Sequence, residues 1–408
     1  MDTAIVVNAH TPLPSAGFNT DYGTRGPSHR AGLTASQSIV HVIKASWINI
    51  LLVFVPLGII SHHLHWGETL TFSLNFLAII PLAKILGLAT EEIALRVGQT
   101  IGSLLNATFG NAIELIISIF AIRQGQIRVV QASMLGSIIT SLLLVLGTCF
   151  VAGGYYKAEQ SFNQTAAQTS SSLMTLACIA LIIPAALHAA VDADNHKEIL
   201  DLSHGTAIVL LGVYGFYLYF QLISHKHLYS EIPEEGEEQQ EEQEEKEEPQ
   251  LTLQLSLGLL VGATLVVAFC AEYLVDSIEG IVESSGLSRT FVGLILLPIV
   301  SNAAEYITAV TAAIKDKMDL AIGCTTGSSM QIALLITPFL VVLGWTLDQP
   351  MTLFFDVFET VILFISVLIT NYLIQDGKSN WLEGVLLLST YIIIVLAFYF
   401  YPEEDTSL

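Results

Sequence analysis

Two pentapeptides 191 residues apart constrain this chain more than any other feature. Gly110-Asn111-Ala112-Ile113-Glu114 returns as Ser301-Asn302-Ala303-Ala304-Glu305, and the same offset carries Gly136-Ser137 onto Gly327-Ser328. Both copies lie inside long apolar runs. A carboxylate within such a run is expensive and marks a functional position. Two of them related by an internal repeat point to a cation site where two halves of a transporter meet.

The apolar runs set the class. Hydrophobic residues make up 53% of the 408, and only 13% are charged, against about 25% in soluble domains. The chain therefore reads as an all-α polytopic membrane protein. Eleven stretches reach the roughly 20 residues that span a bilayer: 46–64, 69–95, 99–122, 127–151, 169–190, 203–223, 252–276, 290–313, 319–345, 351–373 and 382–401. Residues 1–45 are polar, carry no apolar signal segment, and are expected to be a disordered cytosolic arm.

Residues 231–248 hold eleven glutamates and one lysine, a charge of −10 out of the total −22. With no basic patch, nucleic acid is excluded as a partner. With the N-terminus in the cytosol, ten lysines and arginines fall in cytosolic segments and four on the far side, which favours this orientation. The acidic run is then cytosolic, the C-terminus is lumenal, and Asn163-Gln164-Thr165 stays unglycosylated.

The same run splits the ten later spans into five and five. An odd number of crossings ends on the opposite face, so the second five must be inverted relative to the first. The predicted organisation is an extra N-terminal helix at 46–64, a five-helix repeat at 69–223, an acidic linker at 224–250, an inverted five-helix repeat at 251–401 and a tail at 402–408.

Asn111 and Glu114 are three residues apart and share a helix face, as do Asn302 and Glu305. Small neighbours such as Ala112 and Ala303 let helices approach closely. Gly110 and Pro298 are candidate break points, where freed carbonyls become ligands. Carboxylates, amide oxygens, hydroxyls and carbonyls are the hard donors that calcium takes, 6–8 at a time. Glu114 and Glu305 are thus the expected metal ligands, with a charge of −2 when ionised. An empty buried pair favours protons over bare charge, so the pair would hold a divalent cation or protons in turn, which is the simplest basis for antiport. Ser137, Ser328 and Gln331 could add neutral oxygens or could simply be helix-packing contacts.

Other positions carry weaker signals. Asn106 lies five residues before Asn111 and either lines the same cavity or packs. Glu91 and Glu272 lie nearer the ends of their spans, as gate or relay carboxylates or as solvated vestibule groups. Asp356 and Glu359 fall within the tenth span. His62, His63 and His65 read as an exposed polar loop. Cys149, Cys178, Cys270 and Cys324 fit neither a disulfide framework nor a zinc site. The acidic run, including Glu234, Glu235, Glu237, Glu238, Glu241, Glu242, Glu244 and Glu245, is either a calcium-responsive element or a self-repelling linker.

At these residues the chain resembles the cation/proton exchanger family of the calcium/cation antiporter superfamily, and within it the fungal vacuolar calcium/proton exchangers. The segment from Gly102 to Ile116 carries most of the likeness. Ser133 to Ser137, Lys315 to Leu320 and Asn380 to Gly384 add to it. The resemblance implies exchange of cytosolic Ca2+ for lumenal H+ by alternating access in an acidic organelle, the vacuole. Glu114 and Glu305 would be central, with Asn111, Asn302, Ser137, Ser328 and Gln331 around them, Glu91 accessory, and the acidic run regulatory. The chain departs from the family where Ser301 replaces a glycine, Tyr306 replaces a histidine and Ser141 replaces an asparagine. Imidazole titrates near neutral pH and a phenol near about 10, so an antiporter for a monovalent or another divalent cation is the alternative reading.

A channel would need a continuous uncoupled pore, which inverted repeats with mid-membrane carboxylates disfavour. A hydrolase is excluded by the absence of H-E-x-x-H and G-x-S-x-G. The expected partners are membrane lipid and the two transported ions, with no cofactor. A homo-oligomer is compatible with the sequence.

Overall fold

The computed structural model describes residues 47–97, 99–190, 196–225 and 251–402. Apolar runs satisfy their backbone internally as helices, and helices dominate throughout. In chain order they are α1 (Phe54–His63, preceded by a 3-10 segment Trp47–Val53), α2 (Glu68–Val97), α3 (Gln99–Phe109), α4 (Ala112–Arg123), α5 (Ile127–Tyr156), α6 (Gln164–Ala190) and α7 (His196–Tyr219). The second half holds α8 (Leu253–Asp276), α9 (Ile278–Ser285), α10 (Arg289–Ser301), α11 (Ala303–Ile314), α12 (Met318–Thr346), α13 (Val357–Leu373) and α14 (Trp381–Phe400). Helix lies under each of the eleven apolar windows. By length and apolarity, seven described helices can cross a bilayer, or eight if α10 and α11 form one bent span. The expected acidic-linker glutamates 234–245, and the N-terminal arm, lie outside the described residues.

Two interruptions recur at the repeat offset. The third window breaks at Gly110-Asn111 between α3 and α4, and its counterpart breaks at Asn302 between α10 and α11 with a bend of 56°. The span after each broken one carries a π-helical segment, Thr140–Val145 in α5 and Ile332–Ile336 in α12. Such segments inside α-helices mark functional regions. α5 is the most enclosed of the spans, whereas α7, α8 and α14 are peripheral.

Small residues set the closest crossings. α14 meets α5 where a Cβ added at Gly384 would lie 2.6 Å from the carbonyl oxygen of Gly147, so only glycine permits this approach. α8 runs along α2. Its entry is held by Glu92, which accepts from Leu251 N at 3.0 Å, and by Arg96, which donates to Leu251 O.

Each end of the bundle is fastened by polar contacts between the halves. At one end Lys157 pairs with Asp316, and Gln160 Nε2 donates to Asp316 Oδ1 at 2.8 Å and to Ala313 O at 3.1 Å. There a two-residue antiparallel ladder joins β1 (Gln160–Ser161) to β2 (Lys378–Ser379). At the other end Arg128 donates to both oxygens of Glu359, at 3.0 and 2.8 Å, and Gln131 Nε2 reaches Thr352 O and Phe354 O.

Three sequence expectations change here. The tenth window runs from 351, but the helix begins only at Val357, because Asp356 and Glu359 form a capping box that starts it. These two carboxylates therefore have structural occupations: capping, the Arg128 ion pair and a bond from Tyr401 OH to Asp356 Oδ1 at 3.0 Å. His62 and His63 belong to α1 rather than to a loop. His62 stacks on Tyr273 of α8 at 4.0 Å and His63 Nε2 lies 3.4 Å from its hydroxyl.

Candidate functional site

Asn111 and Asn302 occupy the N-cap positions of α4 and α11, yet neither side chain caps its own helix. Ordinarily an N-cap amide accepts from the first-turn N–H groups. Here Asn111 reaches across the halves instead. Its Nδ2 donates to Gln331 Oε1 at 2.7 Å, and its Oδ1 accepts from Ser328 Oγ at 3.3 Å. Asn302 Nδ2 donates to Pro298 O at 3.0 Å, across the turn of α10 that ends at the break.

Glu114 and Glu305 each sit in the first turn after their break, where the helix dipole favours negative charge. The fold brings them near enough to interact electrostatically. Ser301 stands beside Glu114, and Ser328 and Ser141 beside Glu305. Glu114, Asn111, Asn302, Ser137, Ser141 and Ser301 are buried, while Glu305, Ser328 and Gln331 are half-buried.

The chemistry of this cluster lies in what it leaves unpaired. Glu114 Oε2, Glu305 Oε1, Asn302 Oδ1 and the hydroxyls of Ser137, Ser141 and Ser301 are all buried without a hydrogen-bond partner. A buried polar group without a partner is costly. Six such oxygens, two of them on the carboxylates themselves, suit a hard cation, or protons on the carboxyls. The described residues contain no group of three His, Cys, Asp or Glu side chains placed to hold a metal. The candidate donor set is two carboxylates supplemented by neutral oxygens, which suits hard ions better than zinc or copper.

The other expected positions lie around or away from this cluster. Asn106 is exposed, and its carbonyl accepts from Gly110 N at 2.8 Å. Tyr306 turns its hydroxyl to Thr148 Oγ1 of α5 at 3.3 Å. Glu91 is exposed near the end of α2, and Glu272 is half-buried beside Tyr273 near the end of α8. Cys149 and Cys324 both lie near Glu305.

Ser141 and Ser301 entered the sequence reading only as departures from a family pattern. A direct signal existed for Ser141, which is one helical turn beyond Ser137 and shares its face. Ser301 precedes the break at Asn302 and could have been read from the repeat, where it replaces Gly110.

Residues 67–223 and 255–400 match the family model described as sodium/calcium exchanger protein. The vacuolar calcium ion transporter of Schizosaccharomyces pombe is 47% identical over 367 residues, spanning 89% of this chain and 87% of that protein. The Ca(2+)/H(+) antiporter of Synechocystis sp. is 48% identical and covers 88% of this chain and 98% of that protein. Among solved structures, the selenium-substituted Ca2+/H+ antiporter YfkE superposes with a TM-score of 0.74 at 34% identity, covering 87% of this chain and 99% of that one.

Proposed function

Because the chain belongs to the sodium/calcium exchanger protein family, we propose that it is a secondary transporter that exchanges cytosolic Ca2+ for lumenal H+ by alternating access. The observation that carries this reading is the pairing of Glu114 and Glu305, with one oxygen of each and four more on Asn302, Ser137, Ser141 and Ser301 buried without a partner. Calcium satisfies these oxygens and the two charges together, and protons satisfy the carboxylates alone. The two occupants exclude one another, so a proton gradient can drive the cation the other way. Asn111, Asn302, Ser137, Ser328 and Gln331 serve the site as oxygen donors or as the frame that orients them. Tyr306, Asn106, Glu91 and Glu272 are accessory, and the glutamate run at 231–248 is regulatory.

The architecture proposed to support this cycle is eleven spans, with one N-terminal helix and two inverted five-helix repeats. The matched breaks at Asn111 and Asn302, and the π-helical segments at the same register, support it. The proposed location is the vacuolar membrane with the N-terminus cytosolic, in keeping with the vacuolar relative and the distribution of basic residues. The test is calcium uptake by purified protein in acid-loaded liposomes. Uptake should require the pH gradient and collapse with a protonophore. Protein that moves sodium or potassium but neither moves nor binds calcium would replace this assignment with a monovalent one.

A further inference from the structure

Two bonds tie α6 to the end of α13. Asn371 Nδ2 donates to Thr175 Oγ1 at 2.9 Å, and Gln164 Nε2 donates to the carbonyl of Gln375, just past α13, at 2.7 Å. Between these bonds α6 advances eleven residues, from 164 to 175, and the other segment only four, from 371 to 375. The longer arm cannot follow the shorter one closely, and a cleft of about 510 Å3 lies between them. Its polar lining is Gln168, Ser171, Ser172, Asn371, Tyr372 and Gln375.

Most of this polarity is not spent on the fold. Ser172 Oγ donates to Gln168 O at 2.9 Å within its own helix. The side chains of Gln168, Ser171, Tyr372 and Gln375 form no hydrogen bond with any described residue. Gln168 and Gln375 are exposed, and Tyr372 is 75% exposed. The lining side chains are all uncharged, and Lys378, just beyond, is paired with Glu159.

Toward the middle of both helices the outward face turns apolar. On α6, Gln168, Ser172 and Thr175 are followed at helical spacing by Ile179 and Ile183. On α13, Tyr372 is followed in the same way by Leu368, Ile365 and Val361, and all five of these aliphatic side chains are exposed. An amphiphile fits this pattern, with its head in the cleft and its chains along the apolar faces. The head must both donate and accept, because amides and hydroxyls do both. It must also be uncharged. Anionic heads are held by arginine or lysine, and quaternary ammonium heads by a cage of aromatic rings; the lining supplies neither. A sugar ring meets these demands: its hydroxyls match Gln168, Ser171 and Gln375, and its C–H face packs on the exposed ring of Tyr372.

We propose that the cleft between α6 and α13 binds the sugar head of an uncharged glycolipid. In the orientation proposed above, it faces the cytosolic leaflet. Neither helix contributes a residue to the cluster around Glu114 and Glu305, so the inference is independent of which ions are exchanged.

The test titrates purified full-length protein, in a detergent without sugar, with glucosyl-diacylglycerol, phosphatidic acid and phosphatidylcholine of the same acyl chains. Native mass spectrometry counts the bound lipid. One glucosyl lipid should bind per chain, at least about tenfold more tightly than phosphatidylcholine, as the hydrogen bonds of its head require. Gln168→Leu and Tyr372→Leu should each weaken that binding at least about tenfold and leave phosphatidylcholine unchanged. Where a variant fails to fold, the ranking of the three lipids on the wild type decides. Equal retention of all three, tighter retention of phosphatidic acid, or undiminished glucosyl-lipid binding by both folded variants overturns the site. A lipid-free dimer that Gln168→Leu dissociates also overturns it, and assigns the cleft to a second copy of the chain.

Discussion

Asn111 Nδ2 donates to Gln331 Oε1 at 2.7 Å, a bond between side chains 220 positions apart that joins one helix break to the π-helical region of the other half. It places the residue at the N-cap position of α4 against α12, with Glu114 in the first turn that follows. Asn111→Ala and Gln331→Ala should each weaken apparent calcium affinity. Their effects should be non-additive, with a coupling of about 0.5–1.5 kcal/mol in a double-mutant cycle. Strict additivity in isothermal binding would show that this bond does not shape the site.

Glu114→Gln and Glu305→Gln each remove one charge and one proton acceptor while keeping the shape. Proton-driven calcium uptake should fall at least ~100-fold in either, about 2.7 kcal/mol of lost function, in protein that remains monodisperse. Robust uptake by either variant in liposomes would contradict the shared site.

Arg128 and Glu359 form a two-pronged pair whose carboxylate is fully buried. Arg128→Met strands that carboxylate and should destabilise the protein by about 3–5 kcal/mol. The double replacement Arg128→Met with Glu359→Leu should recover most of the loss. Thermal unfolding in detergent, read as the ordering of the wild type and the two variants, checks this.

The Lys157–Asp316 contact predicts a pH signature of its own. Lys157 and Gln160 hold the Asp316 carboxyl below its ordinary range. A lowered folded-state value means that stabilisation is present above the unfolded value, about 3.9, and is lost as pH falls through the folded one. Asp316→Asn should therefore cost little, because the pair is exposed. That cost should be flat from about pH 5 to pH 8 and vanish only in strong acid. A melting difference that changes between pH 5 and pH 7 would require another titrating partner.

Tyr306 engages Thr148 through its hydroxyl. Tyr306→Phe removes that bond and should alter the exchange rate by less than about threefold, the range of one modest hydrogen bond. Tyr306→His introduces an imidazole, whose unperturbed value is about 6.5, in the position next to Glu305. It should steepen the pH dependence of uptake between about pH 6 and pH 7. An unchanged pH profile would mark the tyrosine as neutral to coupling.

Periodicity and composition go far with such a chain. The apolar windows name the helices, since a backbone in lipid has few alternatives to bonding within its own segment. The 191-residue offset singled out Glu114 and Glu305, because carboxylates inside apolar runs persist only where something offsets their burial. Polar residues near helix ends were harder to read. Asp356 and Glu359 resembled intramembrane acids, but they cap a helix and hold an arginine, and hydropathy cannot tell a cap from a ligand. Ser141 and Ser301 join the cluster only because two breaks and two π-helical segments converge there.

The sequence by itself determined the helical class, the repeated motif and the pair of acids at the candidate site, since each follows from local chemistry along the chain. The tertiary structure alone decided that Asn111 bonds Gln331 rather than its own helix. It also decided that Gly136 is packed where Gly327 is open. The repeat gives the two glycines the same neighbours in sequence, but what each one packs against depends on the relative position of whole helices.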